Sequence, residues 1–149
     1  MPVYPVERLP VTTRGHYPHL QRHDARIWER FLDLYAEAFE GFAYDVALGG
    51  NRVGEDFGDE PTRLAWQYST AMKIDVVGFK HDACWIIEVK AGAHAGSVGQ
   101  PLCYVELAEV DRFTDLELFP VLVTDRASPD VAFCCERLGV LLFELPEEP

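Results

Sequence analysis

The sequence predicts an α/β domain built on a mixed β-sheet with helices on both faces. Three observations lead there. An apolar stripe of helical period opens the domain. Two β-rich runs joined by a short turn form a hairpin. Helical and strand patterns then alternate to the end of the chain. The chain has 149 residues, a length that suits one core, and its 48% apolar and 26% charged residues are ordinary for a globular domain.

Residues 1–22 carry Pro2, Pro5, Pro10 and Pro18 and no helical period. They read as an extended arm lying on the domain or on a partner, with the single domain occupying residues 23–149. From Asp24 to Phe42, the residues Ile27, Phe31, Leu34, Tyr35, Ala38, Phe39 and Phe42 recur at three- and four-residue spacing, which predicts a helix. Asp24 can cap its start and Gly41 marks its end. Ala43–Leu48 reads as a short strand, followed by the acidic, Gly-rich loop GGNRVGEDFGDEP. LAWQYS, from Leu64, alternates like a strand.

KIDVVGFK and CWIIEVK are the two arms of the hairpin. The small-residue run AGAHAGSVG leads into a helix from Val98 to Arg112, and Leu118–Thr124 is a buried type of strand. Ser128 and Pro129 suit the cap and first position of a helix that runs to Leu138 and closes at Gly139. GVLLFEL is the last strand. With LAWQYS left out of the count, the predicted order is α-β-β-β-α-β-α-β, without internal repeats.

The hairpin carries the chemistry. Side chains two apart on a strand share a face, so Glu88 and Lys90 project together while Ile87 and Val89 point the other way. Asp75 sits in the preceding strand and, in an antiparallel hairpin, comes near Glu88. A charge inside an apolar strand is costly unless it is paired, hydrated or bound to metal. Two carboxylates and the Val89 carbonyl make a hard-oxygen site for Mg²⁺ or Mn²⁺. Such an ion polarises a phosphate and activates water, and a lysine beside it orients that water. Taken alone, the same charges also make a salt bridge on an amphipathic hairpin.

The spacing D-x12-E-V-K on a hairpin that follows one helix and precedes another resembles the PD-(D/E)xK nuclease superfamily, with Ile74 in the place of the motif's proline. The resemblance covers residues 24–124. It implies a restriction-endonuclease-like αβββαβ core, here with an extra C-terminal αβ unit. It also implies a metal and catalytic centre at Asp75, Glu88, Val89 and Lys90. Gln100 and Tyr104 resemble the Q-x3-Y pattern of RecB-type and lambda-exonuclease-like members, where the pair positions the lysine and the DNA backbone. Ser97-x-x-Gln100 equally fits a helix capping box. Glu29, in the step W-E-R, resembles the first-helix glutamate of Holliday-junction-resolvase-like members and stands as a further metal ligand or as a residue of the solvated face.

The other candidates have plainer readings beside the functional one. His16, His19 and His23 are spaced loosely enough to bind a metal or simply to be solvated. Trp66, Tyr68 and Trp85 can stack bases or pack the sheet, while Arg63, Lys73, His94, Asp125 and Arg126 lie where they can touch substrate. Cys84, Cys103, Cys134 and Cys135 form no CxxC pair, so a zinc or redox motif is not expected and they read as buried thiols.

The formal net charge is −12, from 13 Lys+Arg against 25 Asp+Glu. A nucleic-acid binder draws most of its affinity from phosphate neutralisation, so this balance requires a local patch, a metal, a protein partner or a homo-oligomer. The expected activity is hydrolysis of DNA phosphodiester bonds by a metal-dependent nuclease, of phage or mobile-element type. The alternative is a catalytically reduced protein of the same fold, serving as a structural component of a phage particle or larger complex. The N-terminus lacks the pattern of a signal peptide and no run is long enough to span a membrane, which predicts a cytoplasmic protein, or a virion one if phage-encoded.

Overall fold

The computed structural model describes residues 1–147; the last two residues assigned to the domain, 148 and 149, lie outside the described residues. A five-stranded sheet in the order β1-β2-β3-β4-β5 runs through it, formed by β1 (Gly41–Leu48), β2 (Met72–Phe79), β3 (Ala83–Lys90), β4 (Glu117–Thr124) and β5 (Leu141–Glu144). The β1/β2 and β2/β3 pairs are antiparallel, and β3/β4 and β4/β5 are parallel. Parallel neighbours need helical crossovers, supplied by α3 (Ala95–Val110) and α4 (Pro129–Leu138). The architecture is therefore α/β, a mixed open sheet flanked by helices. Among the described residues no helix is long and apolar enough to cross a membrane.

Helix α1 (Arg22–Tyr35) covers one face. Its Ile27, Trp28, Phe31 and Leu32 bury against Val76, Ile87, Val89, Val121 and Val123. Trp28 stacks on Phe31 at 4.9 Å between ring centroids and meets the edge of Phe42 at 5.2 Å. Its indole N–H donates to the Tyr44 hydroxyl at 3.0 Å, so its polar atom is satisfied inside the core. On the other face, Ile74, Val77 and Ile86 pack with Tyr104 and Ala108 of α3. Farther along that face, Leu122 packs with Val98, Cys135 and Val140. The strand alternation of β3 is as the sequence predicts, with Ile86 facing α3 and Ile87 and Val89 facing α1.

Four boundaries differ from the prediction. First, α1 ends at Tyr35, a short 3₁₀ turn spans Ala36–Ala38, and Gly41 opens β1 instead of closing the helix. Phe39 and Phe42 reach the core from extended backbone, which the helical spacing had disguised. Glycine is needed at 41 because the arm passes close by: a Cβ there would lie 2.8 Å from the Arg8 side chain and 2.9 Å from the Leu9 carbonyl oxygen.

Second, LAWQYS is not a strand but the body of α2 (Glu60–Thr70). Asp59 caps that helix by accepting the Thr62 N–H at 3.0 Å, and Pro61 sits in its first turn. None of its residues is buried, so its alternating pattern reflects no sheet face.

Third, Asp24 is not the cap of α1. Gln21 holds that position, and Asp24 lies in the first turn with its carboxylate free to reach elsewhere. Fourth, α3 starts at Ala95. His94 caps it and exchanges hydrogen bonds with Ser97, so the capping box is His94/Ser97 rather than Ser97/Gln100. The cap of α4 is as predicted: Ser128 accepts the Val131 N–H at 3.2 Å, and Gly139 closes the helix in the left-handed region at φ 73°.

The arm lies along the open edge of β1. Val3 donates to Ala47, and Leu9 and Phe42 exchange both backbone bonds. Of the four free cysteines, Cys84 and Cys135 are buried as expected, but Cys103 and Cys134 are exposed.

Two substitutions separate core from periphery. Phe31→Ala, at 0% exposure, should cost about 3–5 kcal/mol in urea unfolding. Trp66→Ala, at 42% exposure on α2, should cost less than about 1 kcal/mol, the range of surface substitutions. A large loss at Trp66 would show that α2 belongs to the core.

Candidate metal centre

The β2/β3 ladder pairs Val76 with Ile87 and stops there. One step further, Asp75 faces Glu88. The Val89 N–H, which would continue the ladder, instead donates to Asp75 Oδ2 at 2.9 Å. The N–H and C=O of a residue in extended backbone point to the same side. The Val89 carbonyl therefore also turns into the fork that opens between β2 and β3.

The ladder is interrupted on the other side as well. Tyr44 pairs with Val76 and Val46 with Ile74, but Asp45 and Asp75, between them, do not pair. Asp45 adopts φ 54°, a conformation that L-residues seldom hold, and its carboxylate turns to the Tyr68 hydroxyl and to His19 Nε2, the latter at 3.0 Å. The sheet thus opens around Asp75 on both sides.

Glu88 is 5% exposed, and its Oε2 has no hydrogen-bond partner. A buried carboxylate oxygen without a donor is costly, and an ion or water there would relieve it. Burial pushes the Asp75 carboxyl up, against the opposing Val89 N–H. Burial likewise pushes Glu88 up, and the Asp75 charge adds to the effect. Lys90, half-buried on the same face, acts in the opposite sense on both. Tyr104 of α3 is brought beside Glu88; burial first, then the Glu88 and Asp75 charges, hold its hydroxyl firmly protonated.

A further acidic residue joins this group. Asp24, in the first turn of α1, accepts the Ala91 N–H at 2.8 Å and adds negative charge near both carboxylates. The sequence offered one signal for it, an acid at the start of the first helix, which reads equally well as a cap.

Two expected residues are not gathered with the others. Glu29 bonds to Arg14 at 2.7 Å and to the Tyr17 hydroxyl, tying the arm to α1 instead of facing Asp75. Its distance along the helix from Asp24 turns it toward the arm. Gln100 is exposed in α3, one turn before Tyr104, and neither caps the helix nor bonds to the carboxylates. Of the three histidines weighed as ligands, His19 is taken up by Asp45 and Tyr68 and His23 lies in α1.

Among the described residues no three His, Cys, Asp or Glu side chains gather into a metal-ligating group. Any ion would rest on Asp75, Glu88, the Val89 carbonyl and water. Such a set fits Mg²⁺, which uses one or two carboxylates and keeps several waters. A cavity of about 700 Å³ between α1 and the C-terminal segment contains none of these residues. Beside the centre lies a cavity of about 450 Å³ lined by Gly92, Ala93, Arg126, Ala127 and Ser128. No protein-family model, curated protein or solved structure matches the chain.

The raised carboxyls set a pH dependence. A carboxyl whose folded pKa exceeds its unfolded value, about 4, stabilises fully below that value. The contribution fades as pH rises through the folded pKa. In EDTA, Glu88→Gln should therefore gain stability relative to the parent progressively as pH rises above about 4. Urea titrations at acid and alkaline pH measure this; a difference independent of pH would mean that Glu88 ionises normally.

Proposed function

We propose that this protein is a metal-dependent deoxyribonuclease of the PD-(D/E)xK type, with Mg²⁺ or Mn²⁺ as cofactor. The observation that carries the reading is the paired, buried Asp75 and Glu88 at the fork of β2 and β3, with a partnerless Glu88 oxygen and Lys90 on the same face. The element order supports it: α1-β1-β2-β3-α3-β4 corresponds to a restriction-endonuclease-like core, with α2 inserted after β1 and α4-β5 as the extra unit.

A divalent ion held by Asp75, Glu88 and the Val89 carbonyl would polarise the scissile phosphate and lower the pKa of the attacking water. Lys90 orients that water and offsets charge on the phosphate oxygens. Tyr104 keeps its proton and serves as a donor beside Glu88. Asp24 fixes the turn after Lys90 through Ala91 and so limits where the ammonium can go. Water attacks phosphorus and gives up a proton to solvent, the P–O bond to the leaving sugar breaks, and the leaving oxygen takes a proton from solvent.

The net charge of −12 favours a second reading, a non-catalytic component of a phage particle or larger assembly. One assay separates the two. With Mg²⁺ or Mn²⁺, the protein should cut at least one of linear, circular, single-stranded or branched DNA, with RNA run in parallel. Asp75→Asn, Glu88→Gln and Lys90→Ala should each lower the rate by about 10²–10⁴-fold, the range for loss of a positioned acid–base group. If none of these substrates is cut under either ion, the nuclease reading is wrong.

Metal binding has its own readout. An ion that binds only the folded state at about 100 times its Kd stabilises it by about 2.7 kcal/mol. Mg²⁺ should accordingly raise the melting temperature of the parent but not that of Asp75→Asn.

A further inference from the structure

Of the 13 lysines and arginines, Arg22, Arg26, Lys90 and Arg126 have no acidic, backbone or aromatic partner for their cationic groups among the described residues. All four lie on segments that meet at the turn following β3. Lys90 enters that turn. Arg126 lies over it: a Cβ placed on Gly92 would come 3.5 Å from a guanidinium nitrogen. Arg22 and Arg26 flank Asp24, whose carboxylate holds Ala91 of the same turn. Four residues apart on a helix, they share one face, the outer one, so they border the centre rather than line it.

Acids near the turn bond to its loops and make no ion pair with these cations among the described residues. Asp24 accepts from Ala91, Asp125 from Gly92 at 2.7 Å, and Glu144 from Ala127 at 3.2 Å. Each carboxylate is engaged by backbone N–H groups and holds a loop in place. Asp75 and Glu88 lie beside Lys90 at the centre, and Asp130 is exposed in the first turn of α4. The cavity of about 450 Å³ under Arg126 falls within the size range of ligand sites.

We infer that Arg126, with Lys90 inside it and Arg22 and Arg26 outside it, forms a cationic strip that takes the sugar–phosphate backbone of the DNA strand at the Asp75–Glu88 centre. This rests on the nuclease reading above and names how an acidic protein holds a polyanion. Long-range repulsion from the body is screened over about 10 Å at 0.1 M salt, so close cations decide binding. Arg126 can grip one phosphate through two parallel N–H bonds.

The test is the salt dependence of binding to a fluorescent DNA oligonucleotide, with Ca²⁺ replacing Mg²⁺, between about 50 and 200 mM salt. Each lost phosphate contact flattens the log–log slope by about 0.7–0.9. Arg126→Ala should show that change and the double variant Arg22→Ala/Arg26→Ala up to twice it. Arg126→Lys, which keeps the charge, should restore the slope. Arg112→Ala, whose guanidinium pairs with Asp115 elsewhere, should leave it unaltered. Parental slopes in Arg126→Ala and in the double variant overturn the strip, whether or not the parent cuts DNA. A parent that binds with a strip-dependent slope but cuts nothing overturns the nuclease reading and leaves the strip standing. A parent that binds no DNA overturns the strip.

Discussion

Val89 donates its backbone N–H to a side chain where a regular antiparallel ladder would use the carbonyl of the neighbouring strand. Much of the candidate site follows from that substitution. By taking this N–H, the Asp75 carboxylate ends the β2/β3 pairing, opens a fork, and turns the Val89 carbonyl into it. Glu88 is then enclosed opposite Asp75 with one oxygen lacking a donor. An apolar residue at 75 would leave the Val89 N–H without this acceptor. The geometry of the fork and the charge inside it therefore depend on the same side chain.

The acids of this protein are unevenly employed. The formal charge counts every carboxylate alike, but several act as internal acceptors. Asp24, Asp75, Asp111 and Asp125 each accept a backbone N–H, from Ala91, Val89, Gly49 and Gly92. Asp111 also takes the N-terminal ammonium at 3.1 Å and is held below its usual pKa by these partners despite burial. A carboxylate that staples a loop still contributes to the far field; Asp111 also pairs with Arg52 at 3.3 Å, whereas Asp24 and Asp125 make no ion pair with an arginine among the described residues. Composition alone thus understates how cationic one edge of an acidic protein can be.

The sequence made the sheet legible because buried strands carry their own signature. CWIIEVK alternates as parity predicts, whereas KIDVVGFK does so only from Asp75 onward, since Ile74 and Val76, two apart, face opposite sides of the sheet. Helix ends were less legible. Phe39 and Phe42 sit at helical spacing from Phe31 yet reach the core through a 3₁₀ turn and an extended strand; the hydrophobic pattern cannot tell these routes apart. LAWQYS alternates because α2 lies outside the core, where no buried face disciplines its pattern. Its Asp-Glu-Pro start was the better guide. Asp75, Glu88 and Lys90 were singled out by their spacing on the hairpin and Tyr104 by the resemblance, and the structure makes the four neighbours. Asp24 was not, because its role is set by the contact of α1 with Ala91, across 67 positions of chain.

The arm along β1 has a consequence for how copies of this chain meet. Sheets grow by adding strands at open edges, and proteins must block them. Here one edge, eight residues long, is partly covered by the chain's own first nine residues through Val3 and Leu9. The opposite edge is β5, only four residues long and ending in a glutamate. Limited proteolysis within the arm would uncover the longer edge, with Phe42 and Ala47 still offering backbone groups. The arm thus occupies part of the edge at which a further strand would add, and its prolines suit it to that position.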